Sequence, residues 1–169
     1  VTLVGVVLAD VGLFLPDFRA SERVFNLIEQ VAGRAGRGLL KGRVIVQTYN
    51  PDHPSIAHAK HHDVQGFANY ELSNRRMLDL PPFVRLVRFE FEDESEDKAR
   101  QQCEALARQL RKHLPQPSSL IGPAPTYFTR RNKCFRWHVI ARTSSPRHLL
   151  AQLDIPPNCE VDVDPANLL

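Results

Sequence analysis

Pro81 and Pro82 stand side by side in Leu80-Pro81-Pro82-Phe83, and the apolar pattern changes character across them. Proline has no amide hydrogen to give a helix or a central strand, and it pushes the residue before it toward extended backbone. Two in succession end any helix that reaches them. No single element runs through this point in the 169-residue chain, and that length allows one or two domains. The boundary is placed here, with residues 1–80 in one unit and 81–169 in the next.

Upstream, Val1–Leu8 is a continuous apolar run rich in β-branched residues, the pattern of a buried strand of the parallel kind. Ser21–Ala35 carries Val24, Phe25, Leu27, Ile28, Val31 and Ala32 at helical spacing. Arg43–Thr48 alternates and is rich in Val and Ile, so it reads as a strand. Asn50-Pro51-Asp52-His53-Pro54 is a turn, followed by helical stretches near Ser55–Asp63 and Val64–Met77. Strand, helix, strand in this order predicts an α/β lobe with right-handed crossovers.

Downstream, Arg85–Glu92 sets Leu86, Phe89 and Phe91 among charged residues, and Glu96–Leu114 is an amphipathic helix with Ala99, Cys103, Leu106, Ala107 and Leu110 on one face. Strands are expected at about Thr126–Arg131 and Arg136–Arg142, a helix at Pro146–Leu153 and a last strand at Glu160–Val163. The order β-α-β-β-α-β is that of a ferredoxin-like, split β-α-β module.

A 43% hydrophobic content supplies a core, yet no apolar run reaches the roughly 18–20 residues of a membrane span. Val1–Leu8 lacks the charged flank of a signal peptide. Cys103, Cys134 and Cys159 are odd in number and far apart, which favours reduced thiols in a cytosolic setting. The net charge of +3 is modest, but it is unevenly spread. Between Ala105 and Leu153 there are nine Lys or Arg and no Asp or Glu, whereas Glu90, Glu92, Asp93, Glu94, Glu96 and Asp97 crowd a short stretch. One electropositive face able to attract a phosphate backbone is the expected result.

The most chemically suggestive segment is Gln30-Val31-Ala32-Gly33-Arg34-Ala35-Gly36-Arg37 at the end of the first long helix. Arg34 and Arg37 are three residues apart and share a helical face. Each offers a planar fork of donors suited to phosphate oxygens, and Gly33 and Gly36 clear space beside them. Two converging guanidiniums can neutralise charge on a transferring phosphoryl group. The plainer alternative is a basic helix end with a glycine cap, which also suits the helix dipole.

The surrounding residues sharpen the choice. Pro16-Asp17-Phe18-Arg19-Ala20-Ser21-Glu22-Arg23 leads into the arginine run, Ala9-Asp10 precedes it, and Gly42-Arg43-Val44-Ile45-Val46-Gln47-Thr48-Tyr49 follows. Arg75-Arg76, Pro81-Pro82-Phe83, Gly122-Pro123-Ala124-Pro125 and Asp162-Val163-Asp164-Pro165 extend the pattern over the whole chain. Together they resemble the second motor lobe and C-terminal domain of the PriA-type replication-restart helicases of bacteria, in superfamily 2. The resemblance implies a RecA-like lobe end (parallel sheet with helices) followed by the small α/β module, packed on the lobe. It also implies that Gln30, Arg34 and Arg37 belong to the family's motif VI, with the two arginines as fingers on ATP. Gly33, Asp10, Arg19 and Arg23 would structure the nucleotide-facing side.

No G-x-x-x-x-G-K-[ST] phosphate loop, D-E-x-H-type motif or zinc-binding cysteine cluster is present. The expectation is a C-terminal fragment of a larger enzyme, inactive alone. ATP, Mg²⁺ and zinc would be bound with the help of upstream parts. The resemblance further implies 3′→5′ DNA unwinding, recognition of stalled or branched forks and single-stranded DNA, primosome assembly, and a bacterial cytoplasmic, nucleoid-associated setting. A helicase-deficient DNA-binding scaffold and a primosome interaction module without ATPase activity are the alternatives.

Thr129-Arg130-Arg131-Asn132-Lys133 reads as a basic hairpin tip between the two middle strands. Arg130, Arg131, Lys133 and Arg136 are candidate phosphate contacts, and Phe135 or Trp137 a candidate base-stacking ring. The alternative makes Trp137 half-buried core. Ser144-Ser145-Pro146-Arg147 opens a helix whose Arg147 can meet an acidic peptide; the resemblance names the acidic tail of single-stranded-DNA-binding protein. His53, His58, His61 and His62 lack a cysteine or H-E-x-x-H partner, so no metal site is expected. Asp162 and Asp164 can hold Mg²⁺, but pairing with nearby arginines, locking the chain end to the lobe, is the favoured role.

Overall fold

A computed structural model describes residues 2–35, 42–114 and 119–168. Its elements are β1 (Leu3–Val6), α1 (Asp10–Leu13), α2 (Ala20–Ala35), β2 (Arg43–Val46), α3 (Pro54–Lys60), α4 (Val64–Met77), β3 (Arg85–Asp93), α5 (Glu96–His113), β4 (Leu120–Arg131), β5 (Cys134–Thr143), α6 (Pro146–Leu150) and β6 (Cys159–Val163). Contacts divide the chain into Val1–Asn74 and Arg75–Leu169. The division therefore falls in the last turn of α4, a little before the proline pair. Two interactions explain the shift: the Leu80 amide donates to the Arg75 carbonyl at 2.8 Å, and the Arg76 guanidinium lies 4.7 Å from the Phe83 ring.

In the N-terminal unit, β1 and β2 pair in parallel, with Val4 opposite Val44 and Val6 opposite Val46. Most of the apolar stripe of α2 does what its spacing predicts, but Leu27 is 49% exposed. Val24, Phe25 and Ile28 are buried with Val6, Ala9, Ile56, Ala59 and Phe67, and the Phe25 and Phe67 rings stack at 4.1 Å. Asp63 anchors the start of α4 by accepting from the Gly66 amide at 2.9 Å, which satisfies one of the helix's orphan donors. The first strand, expected to be fully buried, is not: Leu3 is 57% exposed, and Ile45 on its partner strand β2 is 50% exposed. A two-stranded sheet covered by helices on one side leaves its other face open.

The C-terminal unit is a four-stranded antiparallel sheet in the order β4-β5-β3-β6. With β5 between them, β3 and β4 run in the same direction, joined by α5, and this is the split β-α-β arrangement. Val87, Phe89 and Phe91 of β3 and Val139 and Ala141 of β5 face Cys103, Leu106, Ala107 and Leu110 of α5 in one core. Each fully buried Phe in that layer is worth about 2–3 kcal/mol relative to exposure. Burial among these groups pushes the Cys103 thiol up to about 12 and that of Cys159 up to about 11, which keeps both unreactive at neutral pH. Beyond the core, Asp162 pairs with Arg88 across the β3–β6 ladder, and the Arg85 Nε donates to Asp164 at 2.7 Å. These carboxylates tie the terminal strand to β3, Asp162 because the register sets it opposite Arg88.

Candidate functional site

The last turns of α2 turn their polar side outward. Val24, Phe25 and Ile28 hold one face in the core, so Gln30, Gly33 and Arg34 fall on solvent, and all three are exposed. Gln30 and Arg34 are four residues apart and share a face. Arg37 and Gly36 lie outside the described residues. Among the described residues no atom lies within 4 Å of where a Cβ on Gly33 would sit. Helix propensity then favours alanine at this position, and Gly33→Ala is expected to stabilise the chain by about 0.5–1 kcal/mol in urea denaturation. A loss of stability would show that the space is not free.

Asp10, Arg19 and Arg23 lie elsewhere, Asp10 at the start of α1 and Arg19 and Arg23 around the start of α2. Asp10 is buried, and its carboxylate accepts from the Thr48 hydroxyl and the Tyr49 amide, both at 3.0 Å. Burial raises its pKa, but these hydrogen bonds outweigh that and hold the carboxyl below the usual range. It therefore fastens the chain after β2 to the start of α1. Asp17, which the sequence reading passed over, accepts from the Arg19 amide and the Arg23 guanidinium, both at 2.9 Å. The Arg19 guanidinium lies over the Phe18 ring. Arg23 and Asp10 are thus both engaged in hydrogen bonds within this unit.

The histidines do not converge. His53 caps α3 against Ser55, His58 meets Asp63 at 2.9 Å, and His62 meets Glu29 at 3.1 Å. Among the described residues no group of three or more His, Cys, Asp or Glu side chains is placed to hold a metal.

The basic hairpin forms where expected, and its arginines have different fates. Asn132 and Lys133 make the two-residue loop, both with positive φ, at 49° and 72°. Such a loop matches strand twist but favours glycine, so lysine there is strained. Arg130 and Lys133 are exposed, with the Arg130 guanidinium 4.1 Å over the Phe135 ring. Arg131 is half exposed and pairs with Glu92 at 2.7 Å and Glu160 at 3.7 Å. Arg136 is only 8% exposed and donates from Nε to Glu90 at 2.6 Å; Glu90 itself is 2% exposed. As a backbone contact Arg136 is excluded by burial. Trp137 packs against the main core, which is where an aromatic in an alternating strand usually goes, so it is no free stacking ring.

At the far end of the same unit, Arg147 is exposed on the five-residue helix α6, whose first turn holds Pro146. Nearby Arg142, His113, His148, Ser144 and Ser145 line a cavity of about 380 Å³.

The family described as the primosomal protein N C-terminal domain matches residues 76–166. The chain belongs to that family. The match covers the four-stranded module with its hairpin, and similarity to whole relatives reaches into the N-terminal unit as well. Proteins called replication restart protein PriA are similar to it. The one from Treponema pallidum (strain Nichols) is 40% identical over 176 residues, 99% of this chain and 27% of the relative. That from Synechocystis sp. (strain ATCC 27184 / PCC 6803 / Kazusa) is 37% identical over 175 residues, covering 99% and 21%. The Bacillus subtilis (strain 168) protein is 37% identical over 153 residues, covering 90% and 19%. The chain spans about a fifth to a quarter of the length of these curated relatives. Among the described residues no helix is long and apolar enough to cross a membrane.

Proposed function

We infer that this chain is the C-terminal part of a replication-restart DNA helicase of the PriA type, supplying arginine fingers to the motor and a DNA-holding module to the fork. The observation that carries the reading is Arg34 on the exposed face of α2, within a chain whose second unit is a primosomal protein domain. A guanidinium that faces solvent here can reach a phosphate bound by a neighbouring lobe. Gln30 one turn earlier offers an amide to the same ligand. In this reading the open apolar face carrying Leu3 and Ile45 is covered by the rest of the lobe, and ATP with Mg²⁺ binds on the phosphate-loop side of the cleft. Zinc belongs to upstream cysteines. Closure on ATP drives 3′→5′ movement while the C-terminal module grips branched DNA. Arg147 is the contact for the acidic tail of single-stranded-DNA-binding protein, and other primosome proteins assemble on the complex.

On DNA the working groups are Arg130 and Lys133, with Arg131 held in place by two carboxylates. They reach phosphate and not base edges, so the module reads backbone and shape. Lysine at a loop position that favours glycine, at a backbone cost of about 1 kcal/mol or more, leaves its ammonium free at the tip to meet a phosphate.

The test is binding of the 169-residue chain to a forked DNA and to plain duplex across a salt series. Tighter fork binding that weakens steeply with salt is expected. An Arg130→Ala/Lys133→Gly variant should lower the slope of log affinity against log salt by about 1.4–1.8, the release expected from two phosphate contacts. Its fold is protected, since glycine relieves the loop. Equal affinity and slope in the variant would remove the hairpin from the interface and favour a purely protein-docking module.

A further inference from the structure

Between the pairs Pro125–Trp137 and Arg130–Phe135, β4 has residues 126–129 where β5 has only Arg136. The edge strand therefore bulges, and the bulge is held from inside. The Phe128 carbonyl accepts from the Thr126 hydroxyl at 2.8 Å and from the Arg136 guanidinium at 3.3 Å, and Arg136 is in turn fixed by buried Glu90. Alternation would send one of two neighbouring side chains inward. Here the broken period lets both Tyr127 and Phe128 point out, at 52% and 57% exposure. Their ring centroids are 5.0 Å apart with planes at 80°.

Two adjacent aromatic rings on solvent are costly unless something covers them. The surroundings identify the occupant by charge. Exposed Arg130 and Lys133 follow within a few residues along the same hairpin; of the carboxylates near it, Glu92 and Glu160 are engaged by Arg131, and Asp93, opposite Phe135, accepts from the Ser95 amide. Phe135 already carries the Arg130 guanidinium on one face, and Trp137 is in the core. Rings flanked by cations match a strand of unpaired nucleotides, whose bases stack while its phosphates meet the charges.

We propose that the bulge of β4 is a base-stacking shelf for single-stranded nucleic acid, with Tyr127 and Phe128 receiving successive unpaired bases beside the phosphate contacts Arg130 and Lys133. The shelf rests on the proposal that the hairpin meets DNA, and adds to it a preference for unpaired bases over backbone alone. It places the opened strand of a fork against β4, and explains how a module without base-edge readers distinguishes a branch from a duplex.

The experiment titrates the 169-residue chain with a twelve-nucleotide thymidine strand bearing a central 2-aminopurine, and with the same length of strand abasic at its centre. The native chain is expected to bind the base-bearing strand roughly tenfold more tightly and to change the 2-aminopurine fluorescence. Tyr127→Ala/Phe128→Ala should bind both strands alike, at the abasic level, with the salt slope unchanged. Phe128→Leu, which keeps apolar bulk, should show an intermediate loss, and thermal melts of both variants should match the native chain because the rings are exposed. Binding with a normal salt slope but no preference for bases overturns the shelf and leaves the hairpin reading standing. Retained preference in the double variant overturns the shelf as well, and absence of any strand binding by the native chain overturns both.

Discussion

Arg34→Ala, placed in a polypeptide that joins this chain to its phosphate-loop lobe, is expected to lower DNA-stimulated ATP hydrolysis by on the order of 10³-fold or more. That is the scale on which an arginine finger acts in phosphoryl transfer. The geometry favours a specific effect. Arg34 faces solvent, away from the Val24, Phe25 and Ile28 stripe, so its removal leaves the core intact. Melting of the isolated chain should move little, within the half kcal/mol typical of surface changes. Arg34→Lys keeps the charge but loses the planar fork and should recover only part of the rate. Arg37→Ala should behave in the same way as Arg34→Ala if the two act together. Full ATPase in the Arg34→Ala protein would sink the finger assignment and return the arginine to the plainer role of a basic helix end.

Glu90→Leu is expected to destabilise the C-terminal unit by about 3–5 kcal/mol, because it strands the buried Arg136 guanidinium without its closest carboxylate. For a unit of this size a loss of that order lowers the melting temperature by at least about 12 °C, and it removes a large part of the 5–15 kcal/mol that a typical domain has. Adding Arg136→Met should restore much of the loss, since an apolar pair fills the same space without a buried charge. The double-mutant cycle, read by thermal melts, isolates the coupling. A single variant that melts like the native chain would mean that Glu92, 3.2 Å from the Arg136 Nε, compensates in full. The restored double variant still lacks one of the two donors to the Phe128 carbonyl. Its base preference should therefore drop even though its fold has recovered, which links the buried pair to the outward rings.

Where the physics is local, the sequence was legible. The apolar spacing of Val24, Phe25, Leu27, Ile28, Val31 and Ala32 marks the buried face of α2 at Val24, Phe25 and Ile28, but wrongly includes exposed Leu27. Thr129–Lys133 between two strand patterns announces a hairpin tip, which the structure narrows to Asn132-Lys133, and the element order β-α-β-β-α-β is realised with β5 inserted between β3 and β4. The two carboxylates Asp162 and Asp164 are legible as arginine partners, and they pair with Arg88 and Arg85. Which arginine lies opposite depends on the β3–β6 register, a property of pairing rather than of either strand.

Hairpin residues were legible only as a group. Composition marks Arg130, Arg131, Lys133 and Arg136 as equally basic, yet one is buried on Glu90, one is held by Glu92 and Glu160, and two remain for solvent. Adjacent Tyr127 and Phe128 carry a faint sequence signal, since alternation cannot bury both, but the strand period breaks at the bulge and so gives no direction. The sequence by itself determined the elements, the helix faces and the arginine-bearing helix end, because each follows from spacing along one segment. Only the tertiary structure decided which charges are spent and which rings face out, because burial, register and ion pairing depend on what a second strand places across the ladder.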